Sequence, residues 1–221
     1  MMGKARDIRT AVADELVFDP LVDSAGITVA STGGDVALNG TVPSYPQYLE
    51  AADAARRVAG VTGVHNRLEV VLAPGDYRDD PVLTTAARYA LELNLTVPGT
   101  VEASAHHGNV ILTGTVAYGG QRAAAESAVA TLTGVRSVRD DIEISCDARP
   151  VDVLTAVQDA LDRHALIPDD SDVIVATTGN TVTLTGHVAT WAEHDAMLNC
   201  AWMTPAVYDV RDELVVSGRP G

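Results

Sequence analysis

Val36-Ala37-Leu38-Asn39-Gly40-Thr41-Val42 returns as Val110-Ile111-Leu112-Thr113-Gly114-Thr115-Val116 and again as Val182-Thr183-Leu184-Thr185-Gly186-His187-Val188. In each run Val, Leu, Gly and Val fall at alternate positions, the period of a strand with one buried face. The three glycines are spaced by 74 and 72 residues, so the chain repeats a unit of about 70 residues. Six residues before each glycine stands Gly34, Gly108 or Asn180. Gly and Asn tolerate positive φ, which predicts a tight hairpin turn there. The runs at 27–30, 101–104 and 173–176 supply the other hairpin strands. Twenty residues after each strand glycine comes Gly60-Val61, Gly134-Val135 or Ala206-Val207, leading into third alternating runs at 64–70, 138–144 and 210–216.

The segments between are helical. Ser44…Gln47 and Thr190…Glu193 are capping boxes at matching positions, whereas the middle copy has Tyr118 followed by Gly119-Gly120, which predicts a less cleanly capped start. Ala51, Ala54, Ala55 and Val58 then recur at helical spacing. A further helix opens each unit, at about 7–18, 80–94 and 151–165. The order per unit is α-β-β-α-β. Turn formers cluster at Ala73-Pro74-Gly75-Asp76 and Asp147-Ala148-Arg149-Pro150, which predicts modules at 5–72, 79–145 and 151–217.

An acidic opening helix, then V-x-L-x-G-x-V, then A-x-x-x-x-G-V-x-x-V-x-[ND]-x-L-x-V resembles the BON domain. The first copy carries it on Val36, Leu38, Gly40, Val42, Gly60, Val61, Val64, Asn66, Leu68 and Val70. The second has Asp140 for Asn66, and the third departs most, with Pro205-Ala206 where Gly60 and Gly134 stand. The resemblance implies an α/β (α+β) sandwich of three tandem modules, each a three-stranded mixed sheet with two helices on one face. It also implies kinship with osmotic-stress proteins, secretins, mechanosensitive channels and outer-membrane lipoproteins. Such modules are discussed as binding phospholipid or envelope partners; one cytoplasmic relative, joined to a LysM domain, binds potassium. No catalytic residues go with the family.

Composition narrows the function. The net charge of −15, from 30 acidic and 15 basic residues, repels phosphate backbones and argues against nucleic acid. Apolar residues make up 47% of the chain and aromatics 4%, so the cores are aliphatic. No apolar run is long enough for a transmembrane segment. The start, Met1-Met2-Gly3-Lys4-Ala5-Arg6-Asp7, lacks the apolar region of a signal peptide, and the two cysteines suggest no disulfide framework; both point to the cytoplasm.

Weighed singly, the candidate residues yield no catalytic, cofactor or metal site. His106-His107 reads as a solvated turn, and His187 with His194 as a weak zinc pair. Cys200 aligns with Ala54 and Ala128 and reads as a small helix residue; Cys146 has no assigned role. Asp169-Asp170-Ser171-Asp172 lacks the Gly and Glu of a calcium loop. No P-loop, GxGxxG or GxSxG occurs. The repeat glycines Gly40, Gly114, Gly186, Gly60 and Gly134 read as structural, the strand glycines admitting a helix close to the sheet. Tyr45 and Trp191, at equivalent helix starts, are candidate exposed aromatic contacts, with half-buried packing the equal alternative. The expectation is a non-enzymatic, stress-related tandem binding or scaffold protein on a membrane surface or protein partner; the alternative is a cytoplasmic potassium sensor.

Overall fold

A computed structural model describes residues 2–145, 153–164 and 172–217, with the side chains from residue 7 onward. The linker at 147–150, Cys146 and most of the calcium-like run, Asp169-Asp170-Ser171, lie outside the described residues. Helix α1 (Met2–Phe18) leads into a hairpin of β1 (Ile27–Thr32) and β2 (Asp35–Val42), then α2 (Tyr45–Arg57) and β3 (Gly63–Val70). The second unit repeats this as α3 (Asp80–Leu93), β4 (Glu102–His106), β5 (Asn109–Val116), α4 (Gly119–Ala130) and β6 (Ser137–Ile144). The third has α5 (Val153–Asp162), β7 (Ile174–Thr178), β8 (Thr181–Val188), α6 (Trp191–Met203) and β9 (Asp209–Val216). The expected α-β-β-α-β order and three-module α+β fold are therefore present.

Each sheet is mixed. In the first, β1 runs antiparallel to β2 and β2 parallel to β3, with Leu38 opposite both Val29 and Asn66. The other two sheets keep that order, and the last strand of each module is an edge. Alternation decides which side is buried: Val36, Leu38, Val42, Leu68 and Val70 face inward onto Val12 and Leu16 of α1 and Ala51, Ala54 and Ala55 of α2. His65, Arg67 and Glu69 on the other side of β3 are exposed. Arg57 adds a polar clasp between the helices, reaching Glu15 at 3.2 Å, Glu50 at 2.9 Å and the carboxylate of Asp19.

The strand glycines do not admit a helix, contrary to the sequence expectation. Gly40, Gly114 and Gly186 lie at φ +121°, +127° and +142°, and a Cβ on them would run into the backbone of Gly26, Thr100 and Asp172–Val173. These are the residues that lead into the first hairpin strand. The helices lie elsewhere, so the need for glycine is a positive φ and a crossing of backbone on backbone.

The other departures are local. Ala206 keeps the turn that Gly60 and Gly134 make, at φ +66°, and Val207 donates to the Thr204 carbonyl as Val61 does to Val58. Asn180 braces it, its side-chain amide donating to the Ala206 carbonyl at 2.6 Å. Tyr118 provides no side-chain cap to α4, but Gln121 accepts from the Ala117 N–H at 2.8 Å, completing half of a capping box.

Candidate functional site

The site residues are built from positions that the 74- and 72-residue offsets make equivalent. Asn66, Asp140 and Asp212 share one place on the edge strands. Their side-chain oxygens accept from the N–H of Leu68 at 3.2 Å, Ile142 at 2.9 Å and Leu214 at 3.1 Å. The other end of each side chain holds the second helix of its module. Asn66 donates to the Tyr48 carbonyl at 2.7 Å, Asp140 accepts from Arg122 Nε at 2.5 Å, and Asp212 pairs with His194 Nε2 at 2.9 Å. Tyr48, Arg122 and His194 are themselves equivalent positions. The [ND] of the repeat thus occupies an amide of an edge strand and ties that strand to its helix, a guard against strand pairing with another chain.

The starts of these second helices carry Tyr45, Gly119 and Trp191, and each meets the next module. Tyr45 is buried, stacked on Tyr48 at 5.6 Å, and Val138 and Glu126 of the second module act on its hydroxyl. Burial in a neighbourhood that also holds Asp140 pushes Glu126 up, against the pull of Arg122. Gly119 meets Trp202 of the third module, whose ring is also covered by Arg122 at 5.2 Å. Trp191 meets the first module: Arg56 lies over its ring at 5.1 Å, and its indole N–H donates to the Val61 carbonyl at 3.2 Å. Tyr45 and Trp191 therefore face other modules rather than an external partner, as exposed contacts would. Between the first two modules remains a cleft of about 500 Å³ lined by Tyr45, Tyr48, Leu68, Val70, Arg136 and Val138, with Arg136 Nε donating to the Val70 carbonyl at 3.3 Å.

Among the exposed apolar side chains, four lie at or just beyond the ends of α1 and α3. Leu16 and Leu91 are the last buried leucines of α1 and α3; two residues on, Phe18 is 82% exposed and Leu93 64%, and Leu21 and Leu95 beyond them are 65% and 101% exposed. Past Leu161, the third module has Arg163 at the corresponding position. Exposed apolar side chains gathered at one place mark contact sites more often than scattered ones do.

The remaining candidates have local roles. His106 and His107 sit in the exposed turn; His107 is at φ +52°, and the N–H groups of His107 and Gly108 bind the Asp80 carboxylate at 2.9 and 3.2 Å. His187 pairs with Asp172 at 3.3 Å, away from the partners of His194. No group of three or more His, Cys, Asp or Glu able to hold a metal occurs among the described residues. Cys200 is half-buried between α5 and α6, its Sγ 3.9 Å from the Ala160 carbonyl, and burial pushes its thiol up. No helix among the described residues is long and apolar enough to cross a membrane.

His194 is buried and held between Asp195 at 3.0 Å and Asp212 at 2.9 Å. The Asp195 carboxylate, joined by Asp212, raises its pKa above the ordinary value against the cost of burial. The folded state thus binds the proton more tightly than the unfolded chain. The stabilisation is complete below about pH 6.5 and is lost as pH rises through the higher folded value. Thermal unfolding of the third module should therefore move to lower temperature between pH 6 and pH 9, and His194→Gln should flatten that dependence. An equal slope in the variant would place the titration elsewhere.

The BON domain matches residues 4–71, 79–146 and 152–218. Osmotically-inducible protein Y of Escherichia coli (strain K12) is 33% identical over 141 residues, covering 62% of this chain and 70% of that protein. Two solved structures align along most of the chain at low TM-score. The C-terminal domain of CdsD, the structural protein of the type III secretion system of Chlamydia trachomatis, is 15% identical, with 95% of this chain and 97% of that one covered at a TM-score of 0.26. The PrgH periplasmic domain is 9% identical, with 92% and 98% covered at a TM-score of 0.24.

Proposed function

The chain belongs to the BON domain family, and on that premise we propose that it is a non-enzymatic, stress-related binding protein whose tandem modules, at 5–72, 79–145 and 151–217, engage a phospholipid membrane surface. Likeness to an osmotically-inducible protein supports the stress setting. The exposed apolar ends of α1 and α3, with Phe18, Leu21, Leu93 and Leu95, carry the membrane reading. Each such side chain transferred from water into the acyl boundary contributes about 1.5–3 kcal/mol. Two clusters on one chain gain further because the second binds at the effective concentration set by the first.

Attraction to anionic lipid is not the driving force, since the chain carries a net charge of −15. Binding to zwitterionic phosphatidylcholine vesicles should match or exceed binding to vesicles rich in phosphatidylserine, and salt should leave the latter flat or strengthen it by screening repulsion. The double variant Phe18→Ser, Leu95→Ser should lower co-sedimentation by at least about 100-fold in affinity. Binding abolished by modest salt, or untouched by the double variant, would refute this mode. A melting temperature raised by potassium chloride but not by sodium chloride would instead support the cytoplasmic potassium sensor. Capture of a protein with no vesicle binding would favour the scaffold on a protein partner.

A further inference from the structure

The three junctions are different solutions at equivalent positions. The helix starts carry Tyr45, Gly119 and Trp191; the last turns of the second helices carry Arg56, Ala130 and Trp202. Followed round the chain, Tyr45 faces the module that holds Ala130, Gly119 faces Trp202, and Trp191 faces Arg56. A large residue is set toward a module with a small one, a missing side chain against an indole, and an indole against a guanidinium. The modules close head to tail, first to second, second to third, third to first.

The third module is held differently from the others. Buried residues of the first and second modules form one continuous apolar cluster, whereas those of the third form a cluster of their own. Its ties to the rest lie outside either apolar cluster: Trp202 and Met203 against the buried Gly119 and its neighbour Gly120, the Trp202 ring also under Arg122, and Trp191 against Arg56 and the Val61 carbonyl. The junction to the first module is also incompletely satisfied, since Arg56 Nε is buried without a hydrogen-bond partner among the described residues. Contacts that do not belong to a shared apolar core are the ones that open without unfolding one.

We propose that the third module is a detachable closing segment, docked on the other two through Trp191 and Trp202 and released as a folded unit, so that the ring has a closed and an open state. Release uncovers the helix faces that bear Arg56, Gly119 and Arg122. This holds whether or not the membrane reading is correct, because none of these residues belongs to the apolar helix ends.

The chain has two tryptophans, and both lie at these junctions, so their emission reports docking directly. A Cβ on Gly119 would come within 2.6 Å of the Trp202 ring and 2.9 Å of its carbonyl oxygen. In the full-length chain, Gly119→Leu should raise the open population by roughly 10- to 100-fold. It should redden the emission and increase the radius of gyration in solution scattering, with far-UV circular dichroism unchanged. Adding Trp202→Ala to Gly119→Leu should not restore compactness, since it removes a docking ring and leaves the residue-202 carbonyl oxygen 2.9 Å from the new Cβ. In the unaltered chain, the Trp191 indole proton should exchange with solvent at least about 10-fold faster than the amides of β8, because undocking precedes unfolding. Equal rates, or a Gly119→Leu protein that loses secondary structure in one cooperative step without expanding first, would overturn the proposal.

Discussion

Gly114→Val is expected to unfold the middle module at ordinary temperature, and Gly40→Val the first, while Gly186→Val leaves the third weakened but folded. Two costs combine at Gly114. A β-branched residue at φ +127° lies outside the regions that L side chains occupy, at about 1–3 kcal/mol. The new Cβ also overlaps the Thr100 carbonyl oxygen, which belongs to backbone and cannot rotate away, at about another 1–3 kcal/mol. A domain of this size has in all roughly 0.05–0.15 kcal/mol per residue to lose. At Gly186 the nearest atom is 2.8 Å away, so a small shift of the preceding loop relieves part of the overlap. Gly114→Ala suffers the same backbone overlap with less rotamer strain and should fall between. Denaturant unfolding followed by circular dichroism, with hydrogen exchange to assign the loss to a module, measures the order. Equal stability of wild type and Gly114→Val would show that the crossing backbone is free to move, and the account of these glycines would fail.

These glycines also show where sequence reasoning stopped. The strands were legible because a half-buried strand writes its two faces into alternate residues, and Val36, Leu38 and Val42 carry that record three times over. The helices followed from capping boxes and from the alanines of α2. The reason for the glycine did not follow, because neither φ nor the path of residue 100 over the strand leaves a periodic trace. The junctions were invisible for a related reason. Tyr45 and Trp191 were recognisable as equivalent aromatic residues, but exposure and inter-module contact give the same signal in a single sequence. The useful clue was the glycine between them: Gly119 at a helix start, where its equivalents are large, marks a space that another side chain fills. The apolar residues past Leu16 and Leu91 could also have been noticed, since Phe18 and Leu93 fall off the buried stripe of their helices. In the third module the same register gives Arg163, so that signal did not repeat and did not stand out.

The [ND] position was read as part of a motif and turns out to join two kinds of bond, which makes Asp212→Ala the second large expected effect. Its carboxylate accepts the Leu214 N–H at 3.1 Å and holds His194 Nε2 at 2.9 Å, while His194 itself is buried. Removing it leaves an amide on the edge strand β9 to water and takes one of two carboxylates from an imidazole that cannot reach water freely. Hydrogen bonds to charged groups contribute about 1.5–3 kcal/mol and a neutral one about 1, so a loss of about 2–4 kcal/mol is expected in the third module. Asp212→Asn separates the two parts. Asn66 shows that an amide oxygen can serve the edge N–H at 3.2 Å, so the asparagine variant should keep that bond and lose only the charge beside His194. Its cost should be about 1–2 kcal/mol while the imidazole is protonated and should shrink as pH rises through the raised folded pKa of His194. Asp212→Ala should remain destabilised at both pH 6 and pH 9, because the bond from the Leu214 amide to the side chain is lost regardless of protonation. It should also self-associate more readily at high concentration, since an unguarded edge amide is a point for another strand to pair. Thermal melts of the two variants at the two pH values decide the matter. If Asp212→Ala converged with wild type at pH 9, the aspartate would act only through the histidine, and the edge-guard role assigned to this position in all three modules would be lost.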